Sequence, residues 1–325
     1  MQRRAFTAGM AAAAWPGVVR AQPNGIRVVG MLMGFESGRA SQGLVAEFRK
    51  TLARLGWSEG SNLRIELLWG NGNVDQIGEF AKELVDLQPN VILAQTTPVT
   101  RALAKLTRTI PIVFVVVSDP IGSGFATSLA HPNGNLTGFT FVEPEMGGKW
   151  IELLKEIAPG TERIALMFNP ETAPPLKFYL ASIESAAKTF AIQIRIAEVR
   201  QSSEIDAVFA EQASGAGGGL LVMPDAFNAA NRDLIIALAA RYKVPAIYGN
   251  DFTQSGGLIF YGPDFADTFR SGAGYVHRVL RGEKPADLPI QLPSKFDLSL
   301  NLKTARALGL EVPMEMQQRA NLVIQ

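Results

Sequence analysis

Apolar positions along the chain follow two alternating rhythms. Near-continuous runs such as Ile112, Val113, Phe114, Val115, Val116 and Val117 suit parallel strands buried on both faces. Between such runs lie segments spaced at three and four. Leu44, Val45, Phe48, Leu52 and Leu55 mark one face of a helix over 40–56, closed by Gly56. The same reading predicts strands at 26–33, 63–69, 91–94, 112–117 and 136–141, with further helices at 74–87 and 98–106. After a helix at 150–157 the pattern restarts. Strands are expected at 163–168, 192–199, 220–223 and 246–248, and helices at 175–190, 203–213 and 232–242. A tail adds a strand at 257–261, a helix at 264–280, a strand at 296–300 and a helix at 303–308. Strand-helix alternation of this kind predicts an α/β protein of two doubly wound βαβ lobes. The tail is too short for a third domain and is expected to complete the two sheets. The chain must then cross between lobes more than once, which makes a hinge rather than a loose linker.

The first residues break this rhythm. Arg3-Arg4, an Ala-rich apolar run over 5–19 and a small residue at Ala21 read as an export signal, too short to span a bilayer. The paired arginines before Ala5-Phe6 fit a twin-arginine signal, although Gln2 and Thr7 depart from its usual flanks. Removing Arg3, Arg4 and Arg20 from the 31 basic residues leaves 28 against 30 acidic ones, a net charge of −2. The mature protein is expected to be a soluble, slightly acidic exported protein.

Composition narrows the chemistry. With 325 residues the chain exceeds the ~250–300 at which single cores stop growing. Balanced charge offers no basic surface for phosphate neutralisation, so nucleic acid is not an expected partner. The chain has no Cys, which excludes a disulfide framework, a thiolate nucleophile and a lipid-modified N-terminal cysteine. His131 and His277 are its two histidines, so a metal site would rest almost wholly on carboxylates, and neither metal nor cofactor is expected.

Ligands of open parallel sheets bind beyond the carboxyl ends of the strands. The first strand ends in Gly34-Phe35-Glu36-Ser37, and the third in Gln95-Thr96-Thr97-Pro98. Thr97 fits an N-cap with Pro98 at the first helical position; it either caps the helix alone or offers its hydroxyl, with Thr96 and free N–H groups, to a ligand carboxylate. The fourth ends in Ser118-Asp119-Pro120, where Asp119 makes an Asx turn or meets a ligand. In the second half the ends supply Asn169-Pro170, Pro224-Asp225 and 248–251. Asn169 before proline suits a turn as well as a ligand. Asp225 and Asp251 suit a ligand ammonium, and Tyr248 an aromatic group. No nucleophile elbow, phosphate loop, zinc-protease helix or dinucleotide fingerprint occurs, so no catalytic residue is assigned. The Gly-rich 215–219 precedes its strand, which is the wrong side for phosphate.

A set of stretches resembles a known family. These are 94–98 (Ala-Gln-Thr-Thr-Pro), 110–122 with Ser118-Asp119-Pro120, 129–138 around His131-Pro132-Asn133-Gly134, 244–248, 256–262, 282–289 and 295–305. They are similar to ABC-transporter substrate-binding proteins of the kind that bind tryptophan or other aromatic amino acids, which have the type 1 periplasmic-binding-protein fold. The resemblance implies a two-lobed receptor that closes on a small molecule and delivers it to an inner-membrane permease. It implies lobe one at 24–141 plus 262–288, lobe two at 142–261 plus 289–325, and three crossings. It points to Phe35, Ser37, Thr96, Thr97, Asp119, Asp225, Tyr248 and Asp251 as ligand contacts. The family commonly has Gly-Thr-Pro where this chain has Thr96-Thr97-Pro98. A sensory module for a membrane receptor shares all of these features, and an interdomain-cleft enzyme such as a racemase would need the paired cysteines that are missing.

Overall fold

The computed structural model describes residues 25–132, 134–173 and 176–325. The expected export signal at 1–21, Asn133 of the turn at 131–134 and the start of the helix expected at 175 lie outside them.

The first half builds β1 (Arg27–Met33), α1 (Arg39–Arg54), β2 (Leu63–Trp69), α2 (Val74–Asp86), β3 (Val91–Gln95), α3 (Thr97–Leu106), β4 (Ile112–Val117) and β5 (Leu136–Thr140). Its strands pair in parallel in the order β2-β1-β3-β4-β5. All six residues of β4 are buried, as the unbroken apolar run requires. Asn73 caps α2, its side chain accepting from the N–H of Asp75 and Gln76 at 3.0 Å. Gly56, one residue past the Leu55 C-cap of α1, has φ 90°, the left-handed stop that glycine allows.

The second half contains α4 (Met146–Ile157), β6 (Arg163–Phe168), α5 (Lys177–Thr189), β7 (Gln193–Glu198), α6 (Ile205–Ala213), β8 (Gly218–Val222), α7 (Ala226–Ala230), α8 (Arg232–Tyr242), β9 (Ala246–Tyr248) and β10 (Ile259–Pro263). The tail adds α9 (Phe265–Leu280), β11 (Phe296–Asn301), α10 (Leu302–Ala307), α11 (Met314–Arg319) and β12 (Leu322–Ile324). The larger sheet runs β12-β11-β10-β9-β8-β6-β7, with β11 antiparallel to β10. Every strand of the tail therefore joins the larger sheet. The smaller sheet receives from it α9, whose Phe269, Ala273 and Val276 pack into the same core as Val45 and Phe48 of α1. Three of these strands and α-helices went unpredicted: α7, α11 and β12 are three to six residues long, too short to display a period. The helix expected from 150 begins at Met146, because Gly147 and Gly148 interrupt the apolar pattern where α4 meets α5.

Each sheet is covered on both faces. The larger one carries Trp150 of α4, fully buried 5.1 Å from Tyr179 of α5, its Nε1 donating to Tyr261 O at 2.7 Å. The chain passes between the sheets after β5, after β10 and before β11. These passages are laced side by side: Thr140 N–H donates to Gln291 O at 2.9 Å, Gln291 N–H to Gly138 O at 3.0 Å and Asp264 N–H to Lys295 O at 2.9 Å.

Candidate functional site

The expected site residues fall at or just past the ends of β1, β3 and β4 of the smaller sheet and of β6, β8 and β9 of the larger, Thr97 being the first residue of α3 and Tyr248 the last of β9. In the smaller sheet, buried Gln95 organises the group. Its Oε1 accepts from the N–H of Gly34 at 3.0 Å and of Phe35 at 3.1 Å, fixing the loop after β1 against the end of β3. Phe35 is 36% exposed and Ser37 is exposed, its hydroxyl accepting from Gln42 Nε2 at 3.4 Å. Thr96, not Thr97, occupies the N-cap position of α3, and Pro98 is the second helical residue. The Thr97 hydroxyl instead accepts from Ser118 N–H at 3.3 Å and lies 3.3 Å from Ser118 Oγ, joining the ends of β3 and β4. Asp119 makes the Asx turn, its Oδ1 accepting from Gly122 N–H at 2.7 Å.

In the larger sheet Asp225 is buried and committed. Its carboxylate accepts from Asn228 N–H at 2.6 Å, Asn169 N–H at 3.1 Å and Thr172 Oγ at 3.4 Å, capping α7 and tying the loops after β6 and β8. Burial pushes its pKa up, and those hydrogen bonds oppose the shift. Asn169 uses its Oδ1 on Glu171 N–H at 2.9 Å, the turn chemistry open to an Asn before proline. Tyr248 corrects the expectation of a ring free to stack on a ligand. It is 1% exposed and packs against Phe252 at 5.2 Å in the core under β8 and β9, because the second face of a parallel strand is also buried. Asp251 is exposed, with Oδ1 accepting from Thr253 N–H at 3.0 Å and Oδ2 from Ser299 Oγ at 3.4 Å.

Sequence reasoning missed three features. Gln95 and Asn228 are fully buried amides, each linking two strand ends: Asn228 Nδ2 donates to Met167 O at 3.2 Å and Met223 O at 2.9 Å. Each keeps one buried atom without a partner, Gln95 Nε2 and Asn228 Oδ1. Polar residues at the tips of apolar runs were their only signal. The third feature is backbone strain: Thr96 and Val116 have φ 83° and 58°, at the ends of neighbouring strands. Asp297, on β11 beside the crossings, is a further carboxyl, raised by burial and then by Asp264 and Asp251. Two grooves of about 460 and 560 Å³ flank the crossings, one against Glu143, Tyr261 and Phe296, the other against Asp264, Tyr275 and Lys295; neither contains a sequence-predicted residue. Among the described residues no helix is long and apolar enough to cross a membrane.

Two sheet-centred lobes joined by three crossings, with polar strand ends on both, define a periplasmic-binding-protein-like fold. The chain belongs to the ABC transporter substrate binding protein family, whose model matches residues 33–324. A tyrosine-binding protein of Clostridioides difficile is 24% identical over 266 residues, 81% of this chain and 76% of the relative. A conserved domain protein from Vibrio cholerae has a solved structure 26% identical, with a TM-score of 0.80, covering 92% of this chain and 99% of that one. An ABC domain from Streptococcus pneumonia in complex with L-Trp is 22% identical, with a TM-score of 0.81, covering 92% of this chain and 100% of that one.

Proposed function

We propose that the protein is the periplasmic receptor of an ABC importer, which closes its lobes on an amino acid and delivers it unchanged to an inner-membrane permease. An aromatic amino acid is the preferred ligand, supported by the tyrosine- and tryptophan-binding relatives. The observation that carries the reading is the division of the polar strand ends into two half-sites. Gln95 and Thr97 bond within the smaller sheet, whereas Asp225, Asn228 and Asp251 bond within the larger, so each half is organised without the other. Phe35, Ser37, Thr96 and Thr97 would meet the ligand from one lobe, Asp251 from the other. The closing bodies are taken as 25–141 plus 264–291 and 142–263 plus 292–325, two to three residues from the expected boundaries at 262 and 289, because Gly262 and Pro263 belong to β10 of the larger sheet and Ile290 packs in the core of the smaller one.

Ligand contacts to both lobes shift the equilibrium toward the closed form by their differential affinity. L-Tyrosine or L-tryptophan at ~100 times its dissociation constant is expected to stabilise the fold by ~2.7 kcal/mol in a thermal-shift assay, with calorimetry confirming one site. A screen of amino acids that gives no calorimetric binding overturns the proposal.

A further inference from the structure

The chain leaves the smaller sheet at Phe141. Its backbone N–H still donates to Val117 O at 3.2 Å, at the end of β4, whereas the next residue, Val142, is already buried in a core of the larger lobe. The side chain of Phe141 serves both sides. Half-buried, it packs against the core that holds Trp150, Leu166 and Tyr179 in the larger lobe and against the one that holds Phe48, Val115 and Phe269 in the smaller. Among the described residues it is the one apolar side chain packed against a core of each lobe.

Ring contacts join the crossings around it. Phe139, two residues earlier and on the same side of β5, lies 4.6 Å from Tyr275 of α9. Phe141 itself meets Phe265, the first residue of α9, edge-on, with ring centroids 6.4 Å apart and planes at 84°. That pair ties the first crossing to the second. On the larger lobe Tyr261 and Phe296, stacked 5.6 Å apart at 13°, tie the second to the third. The hydrogen bonds between crossings are directional and fix the spacing of the strands. An apolar contact has no preferred direction, so one ring can turn against two cores without leaving either.

We propose, on the functional reading above, that Phe141 is the pivot of lobe closure, a positioning residue whose ring holds the two bodies at one spacing while they rotate and so sets how much of the ligand-free protein is competent to close. It acts without touching the ligand. Loss of the ring lets the lobes drift apart, and a smaller competent fraction weakens the apparent affinity in proportion.

The variants Phe141→Ala, Phe141→Leu and Phe265→Leu test this by calorimetry with L-tyrosine and L-tryptophan and by small-angle X-ray scattering with and without saturating ligand. All measurements are made where circular dichroism shows full folding. Phe141→Ala is expected to have a larger ligand-free radius of gyration than wild type, the same ligand-saturated radius, and an affinity at least about tenfold weaker. Phe141→Leu, which keeps apolar bulk and loses the ring edge, is expected to bind about threefold more weakly. Joined to Phe265→Leu it should lose no more than the stronger single variant, because both remove one contact. A ring with a merely structural role would lower Tm and leave affinity and radius at wild-type values. A folded Phe141→Ala protein with wild-type affinity, or with the wild-type ligand-free radius, therefore overturns the proposal. Should Phe141→Ala not fold, Phe141→Leu is judged by the same criterion. Wild-type protein that binds neither amino acid defeats the functional reading instead, and the ligand-free radii still decide whether Phe141 spaces the lobes.

Discussion

Tyr248 and Asp225 show how far a residue's role depends on which side of a strand end it takes. Tyr248 packs in the core, so Tyr248→Ala is expected to cost about 3–5 kcal/mol in a denaturant titration. Tyr248→Phe, which keeps the ring, is expected to leave ligand affinity unchanged by calorimetry. Asp225 has its pKa raised by burial, so the folded state binds its proton more tightly than the unfolded chain does. Its contribution to stability is then largest at acid pH and falls as pH rises through the window between the unfolded pKa, about 3.9, and the raised folded value. The urea midpoint of wild type relative to Asp225→Asn is expected to move upward between about pH 7 and about pH 4; a shift in the other direction would show that the hydrogen bonds, not burial, dominate.

At the scale of elements, β5 links the smaller sheet to the first crossing, and it approaches β4 closely at Gly138. A Cβ on that glycine would lie 2.0 Å from Phe114 O, at φ 153°. Gly138→Ala is expected to destabilise the protein by about 1–3 kcal/mol in thermal unfolding, because two backbones must separate. It is also expected to disturb binding more than its distance from the strand-end loops suggests, since Gly138 O accepts from Gln291 N–H in the third crossing. A variant with wild-type Tm and affinity would refute this role. Element boundaries were legible where apolar runs were long, as in β4, β6 and α8, and also at the three-residue β9, which falls where the pattern puts it. The five-residue α7 was not legible, since its existence depends on the Asp225 cap and on Asn228 reaching two carbonyls of neighbouring strands.

For the whole molecule, three hydrogen-bonded crossings make bending a joint event. Their neighbours add an ionic lacing: Arg270 meets Asp264 at 2.9 Å and Asp267 at 3.4 Å, while Lys295 meets Asp267 at 2.6 Å. Closure around a bound amino acid is expected to lower the radius of gyration in small-angle X-ray scattering, with the secondary structure unchanged by circular dichroism. An unchanged radius at saturating ligand would rule out lobe closure.

The order of strands and helices, the two-lobed class and the loops of the proposed site were set locally, because burial on both faces of a parallel sheet writes itself into apolar runs and their ends. Which side chain at each end is free was decided by contacts across 60 or so positions of sequence, such as Gln95 reaching Gly34. Neither Thr96's strained conformation nor Tyr248's burial has a local signature: one follows from backbone bonds to β4 and α3, the other from the helices that close over the second face of the sheet.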